Sequence, residues 1–158
     1  MASVETKTRL KVGATLSLSI EELSPRGLGI GFVGNEPIHV REGLPGDRLK
    51  VRLTRIRPGR PIEAKRLEIE NASPDRVIPP CSHFGPCGGC DLQHIAYRSQ
   101  VYWKARMLAQ VLREAGNLTG LPEIQVVAMD DPWNYRSKME FSFGQEGAQV
   151  TLGFHERA

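Results

Sequence analysis

The sequence contains no apolar run long enough to cross a bilayer, and its first residues, Met-Ala-Ser-Val-Glu-Thr-Lys, lack the hydrophobic stretch of a secretory signal. The cytoplasm is therefore the expected compartment, with no membrane partner. Cysteine is scarce: three residues, Cys81, Cys87 and Cys90, in a chain of 158. An odd count crowded into one short segment, in a reducing compartment, argues against a disulfide framework and for metal or redox chemistry. No serine, histidine and carboxylate arrangement marks a nucleophilic site, and there is no Walker-type phosphate loop. The chain is not expected to carry an active site of its own.

What is present is an ordinary globular composition, 40% hydrophobic and 25% charged, long enough for one domain or two small ones. The formal charge is only +3, but its sign is unevenly placed. Residues 1–70 hold thirteen Lys/Arg against nine Asp/Glu, whereas residues 71–158 hold eight against nine. A basic surplus confined to the first half suits a polyanion such as RNA.

Residues 10–70 follow a period of two, interrupted at short intervals by glycine and proline. The pattern predicts strands over residues 11–23, 27–33, 37–40, 47–56 and 62–69, joined by turns such as Ser24-Pro25-Arg26-Gly27 and Leu44-Pro45-Gly46-Asp47. About five short antiparallel strands in so little chain imply a small, nearly closed barrel of the oligonucleotide-binding kind. Within the fourth strand Arg48, Lys50 and Arg52 alternate with Leu49, Val51 and Leu53. Continued through Arg55, Arg57 and Arg60, this gives six cations with no intervening acid, a candidate phosphate-contacting surface. Gly29-Ile-Gly31-Phe-Val-Gly34 fits the dinucleotide-binding pattern, but a short strand rather than a helix is predicted after it, so the glycines are read as places where a barrel strand bends.

A proline-punctuated connector over residues 71–80 marks the first boundary, giving residues 1–70 as barrel, 71–96 as linker and cysteine loop, and 97–158 as the start of an incomplete central α+β domain. The fold expected overall is mainly β with one helix. That helix is predicted over residues 97–114, from Val101, Ala105, Leu108 and Val111/Leu112 at helical spacing, and is closed by Gly116-Asn117. Strands are expected at 124–129, 138–143 and 150–154, the last two as a hairpin across residues 144–147. The chain stops directly after a strand, and is expected to be a fragment. Tyr135-Arg136-Ser137-Lys138 adds a candidate RNA contact, with Arg136 and Lys138 to grip phosphate beside a stacking tyrosine.

The cysteine loop reads Cys81-x5-Cys87-x2-Cys90-x3-His94, with Gly88-Gly89 between the closest pair. Two cysteines separated by two residues can chelate one centre, and the glycines let the backbone fold around it while offering N–H groups to sulfur. A four-iron cluster needs a fourth thiolate from outside the chain. A tetrahedral Cys3His zinc site would take His94, or less easily His83, instead.

Taken in order, Leu23-Ser-Pro-Arg-Gly-Leu-Gly-Ile-Gly31, Leu44-Pro-Gly-Asp47, Ser73-Pro-Asp-Arg76, the block from Cys81 to His94, and Tyr135-Arg-Ser-Lys-Met-Glu-Phe-Ser-Phe143 resemble the iron-sulfur 23S rRNA (uracil-5-)-methyltransferases. The resemblance implies an RNA-binding TRAM barrel, a cluster-bearing central domain, and an S-adenosylmethionine-binding catalytic domain that this chain lacks. It assigns Cys81, Cys87 and Cys90 to the first three ligands of a 4Fe-4S cluster, with the fourth beyond residue 158. It also implies a cysteine nucleophile adding to C6 of a flipped-out uridine and a carboxylate removing the C5 proton, neither of which has a counterpart here.

Overall fold

The computed structural model describes residues 10–157, which form two compact units divided between Pro74 and Asp75.

In the first unit six strands follow one another: β1 (Thr15–Ser19), β2 (Glu22–Leu23), β3 (Gly29–Val33), β4 (Glu36–Val40), β5 (Arg48–Arg55) and β6 (Ile62–Asn71). They form one sheet in the order β1-β5-β6-β4-β3-β2. Because β1 and β2 are nearly continuous in sequence, with β1 pairing β5 and β2 pairing β3, the two edges of the sheet belong to one bent segment and the sheet closes on itself. The bend lies at Ile20 and Glu21, whose N–H groups donate to Asp47 O on one side (2.9 Å) and to Ile30 O on the other (2.8 Å). This is the expected OB-like barrel, with a break in the first predicted strand and with one parallel pair, β4 against β6, among otherwise antiparallel ladders.

Alternation is what fills the barrel. In β5, Leu49, Val51 and Leu53 are buried while Arg48, Lys50 and Arg52 are exposed. Leu18, Ile20, Ile38, Val40, Ile62 and Ala64 complete the core. Closure also explains the glycines of β3. A Cβ on Gly31 would lie 2.3 Å from Ser19 O, and one on Gly29 would lie 2.7 Å from the Gly43 backbone, so only glycine permits these crossings. β4, not a helix, follows β3, and the dinucleotide pattern has no phosphate-binding geometry.

The second unit holds the cysteine loop, helix α1 (Tyr97–Glu114), and a hairpin of β7 (Ser142–Glu146) and β8 (Gln149–Gly153). The helix occupies the predicted residues, and Asn117 takes a left-handed conformation (φ 50°) where the chain leaves it. The hairpin forms with a tighter turn than the spacing predicts, its first strand later and its second one residue earlier: Glu146 pairs with Gln149, leaving Gly147-Ala148 as a two-residue loop, with Gly147 at φ 61° at its first position. Residues 124–129, predicted as a strand, join no strand among the described residues. Their alternation has no sheet edge to pair with there. No helix among the described residues is long and apolar enough to cross a membrane.

Candidate nucleic-acid interface and cysteine loop

The outer face of the barrel is built from β1, β5 and β6. Register places Thr15, Arg52 and Lys65 in one row across the three strands, and Ser17, Lys50 and Glu68 in the next. Three of the six cations read from the sequence as free of acids are not so in space, because β6 returns with carboxylates beside them. Arg48 pairs with Glu70 (3.3 Å), Arg55 with Glu63 (3.1 Å) and Lys50, more loosely, with Glu68 (4.0 Å). Ser17 also donates to Glu70 (2.6 Å). Arg52 alone of the four candidate cations on β5 faces another cation, Lys65, which the sequence reading did not single out.

Behind this face, His39 on β4 lies in register with Glu63. Burial lowers its pKa from the ordinary 6.5, partly opposed by the Glu63 charge, so the neutral imidazole is favoured.

In the second unit the cysteines line a chain of tight turns. Phe84 N–H donates to Cys81 O (3.1 Å), and Cys87 N–H to His83 O (3.0 Å). Cys81 and Cys90 are exposed, Cys87 is half-buried, and all three are free thiols. Gly89 N–H donates to Cys87 Sγ (3.3 Å). The segment after β8 fastens the loop from the other side. Gly88 N–H donates to His155 O (3.1 Å) and Arg157 N–H to Pro86 O (2.9 Å). The Arg157 guanidinium donates to Cys87 O (2.9 Å), to Cys90 O and to the Asp91 carboxylate. A Cβ on Gly88 would lie 3.0 Å from His155 O, tighter than ordinary contact, so a larger residue there would push this segment back by a few tenths of an ångström.

The donor chemistry of the loop suits a soft metal centre: three thiols and an N–H aimed at one of them. Among the described residues, however, no three His, Cys, Asp or Glu side chains converge closely enough to hold an ion. His94, the alternative fourth donor, is only 2% exposed, with its ring stacked near Phe84 (centroids 5.6 Å apart). It lies beside buried Ile95, with its backbone carbonyl accepting from Val77 N–H (3.0 Å), while His83 sits within the loop turns.

Residues 9–60 match the TRAM domain family. The matched segment includes β1 to β5, so β6, which carries Lys65 and the three acids, lies beyond it. Similarity to whole proteins extends past the TRAM barrel. An RNA methyltransferase described as uncharacterized, from Halalkalibacterium halodurans, is 33% identical over 141 residues, covering 89% of this chain and 31% of that protein. One of the same description from Enterococcus faecalis is 35% identical over 153 residues, covering 96% and 33%. A second from H. halodurans is 35% identical over 160 residues, covering 98% and 34%. The chain thus spans about a third of the length of these relatives.

The remaining candidate cations lie in the second unit. Lys138 pairs with Glu140 (3.0 Å), and Tyr135, next to Arg136, is 64% exposed. Both precede β7, in a stretch without strand pairing. Sequence reasoning did not mark Arg106, whose guanidinium lies 5.7 Å from the Tyr102 ring centre and 5.6 Å from that of Trp103, although the helical spacing of Tyr102 and Arg106 was available as a signal.

Proposed function

We propose that this chain is the RNA-binding and iron-sulfur portion of an S-adenosylmethionine-dependent RNA (uracil-C5) methyltransferase acting on 23S rRNA. The observation that carries this reading is that similarity to proteins named RNA methyltransferases runs through the TRAM barrel and the cysteine unit alike, over 98% of the chain in one case. The barrel supports RNA as partner, since its exposed face holds cations on a rigid sheet. Methyl transfer itself is assigned to a catalytic domain outside these 158 residues. Cys81, Cys87 and Cys90 would hold a 4Fe-4S cluster with a fourth ligand from elsewhere, and Gly89 N–H would donate to the Cys87 sulfur. Bound there, a cluster supplies a multi-thiolate staple across the loop.

The test is to incubate the full-length gene product with labelled S-adenosylmethionine and 23S rRNA lacking its methyluridines, and to analyse the nucleosides by mass spectrometry. 5-Methyluridine is the expected product, and methyl transfer to a ribose or to another base would sink the uracil-C5 assignment. Iron and sulfide analysis of anaerobically prepared protein tests the cluster. Stoichiometric zinc in place of iron, lost in His94→Ala, would instead favour a free-standing RNA-binding module with a Cys3His site.

A further inference from the structure

The outer face of the TRAM barrel is not uniformly basic. Five cations, Arg48, Lys50, Arg52, Arg55 and Lys65, share it with Glu63, Glu68 and Glu70. Those acids are taken up by Arg55, Lys50 and Arg48 in turn. Among the strand residues of this face the surplus is therefore local. It falls on the row Thr15, Arg52, Lys65, where two cations stand directly opposite each other in adjacent strands beside a hydroxyl. All three residues are exposed, and neither Arg52 nor Lys65 joins an ion pair among the described residues.

Like charges in register repel and destabilise a sheet, whereas the flanking positions set Lys50 opposite Glu68 and Arg55 opposite Glu63. The next residue along β6, Arg66, does find an acid, Glu42, at 2.6 Å. The repulsion at Arg52 and Lys65 serves no packing need, because both side chains point to solvent from the exposed phase of β5 and β6. It is relieved by an anion seated between them. An RNA phosphodiester fits this demand: one negative charge, acceptor oxygens for the guanidinium and the ammonium, and a further acceptor for the Thr15 hydroxyl.

We propose that Arg52 and Lys65, with Thr15, form the phosphate-contacting site of the barrel, and that Arg48, Lys50 and Arg55 hold the β5 and β6 ladder together instead. This rests on the reading of the chain as RNA-binding and narrows it to one row. The site has an unusual signature, in that removing one of its cations weakens RNA binding while relieving the repulsion in the free protein.

The experiment compares two adjacent substitutions that remove the same charge, Lys65→Gln and Arg66→Gln, in the 158-residue chain. Fluorescence anisotropy with a labelled single-stranded RNA at several KCl concentrations gives affinity and salt dependence, and thermal melts give stability. Lys65→Gln is expected to weaken binding about tenfold, to reduce the log-log salt slope by about 0.7, the value of one phosphate contact on a single strand, and to leave Tm equal or higher. Arg66→Gln is expected to keep affinity within about twofold and to lower Tm, since it removes the Arg66–Glu42 ion pair. Equal losses of affinity in both variants would overturn the site in favour of a diffuse field, and an unchanged salt slope in Lys65→Gln would overturn it outright. Both outcomes leave RNA binding by the unmodified chain intact. Failure of the unmodified chain to bind RNA would instead remove the reading on which the site depends, and the site with it.

Discussion

At the scale of single residues, Asp47 ties the barrel closed. It is 1% exposed, and its carboxylate accepts from Leu44 N–H (2.8 Å) and from Ser73 N–H (2.9 Å), joining the turn before β5 to the chain that follows β6. Its own carbonyl accepts from Ile20 at the bend between β1 and β2. Asp47→Ala would leave two N–H groups without these acceptors in a buried setting. A loss of about 3–6 kcal/mol is expected in urea unfolding, the cost of two hydrogen bonds to a charged group. An unchanged midpoint would mean the turn holds by packing alone. His39 gives the pH counterpart. Its folded pKa lies below the unfolded 6.5, so the unfolded state binds more protons. Stability is then full above 6.5 and falls as pH drops through that value toward the lower folded pKa. Melts from pH 7.5 to 5 should show Tm declining in the acid half, and His39→Gln should flatten that part of the profile.

At the scale of elements, what could be read in advance follows how local each determinant is. Helix α1 was legible to the residue because apolar spacing and the closing Gly116-Asn117 lie within its own segment. The strands of the barrel were legible from alternation. Their partners were not: the parallel pairing of β4 with β6 and the closure through β1 and β2 depend on contacts between distant segments. The cation ladder shows the cost of this. Arg48 to Arg60 has no acid in sequence, yet the register with β6, irregular at several points, supplies Glu63, Glu68 and Glu70. No sequence rule places those irregularities. Arg157 was equally hidden, lying 67 residues from Cys90, the loop carbonyl that it holds.

That clamp makes a prediction at the same scale. Local opening of the loop must break the bonds of the Arg157 guanidinium to Cys87 O, Cys90 O and Asp91. Hydrogen bonds to a charged donor contribute about 1.5–3 kcal/mol each, and each 1.4 kcal/mol is about tenfold in an opening equilibrium. Arg157→Ala should therefore speed modification of half-buried Cys87 by a thiol reagent at least tenfold, with exposed Cys81 much less affected. Lysine should not restore protection, since it lacks the planar fork that reaches three acceptors. Equal labelling rates for Cys87 in the parent and in Arg157→Ala would show that the glycine-mediated backbone bonds hold the loop without the side chain.

At the scale of the whole molecule, the two units differ in how they stand up to water. The barrel encloses its core: Ile38, Val40, Leu49, Val51 and Leu53 have no exposed surface, and all lie within residues 1–74. Each such side chain contributes roughly 1.5–3 kcal/mol on burial. In the second unit the hydrophobic side chains are mostly outside. Val127 is 96% exposed, Phe143 79% and Val150 75%, while Ser99 is the sole buried residue of α1. A hairpin alone is marginal in water, and a helix whose apolar stripe is at best half-buried draws little from packing. The units should accordingly separate in experiment. Residues 1–74 alone should fold cooperatively, with a Tm within a few degrees of the barrel transition in the intact chain. Residues 75–158 alone should bind a hydrophobic dye such as ANS and melt without a sharp transition. A sharp, dye-free transition from residues 75–158 would mean that these side chains find partners within the unit. Loss of folding in residues 1–74 would mean that the barrel draws stability from beyond Pro74.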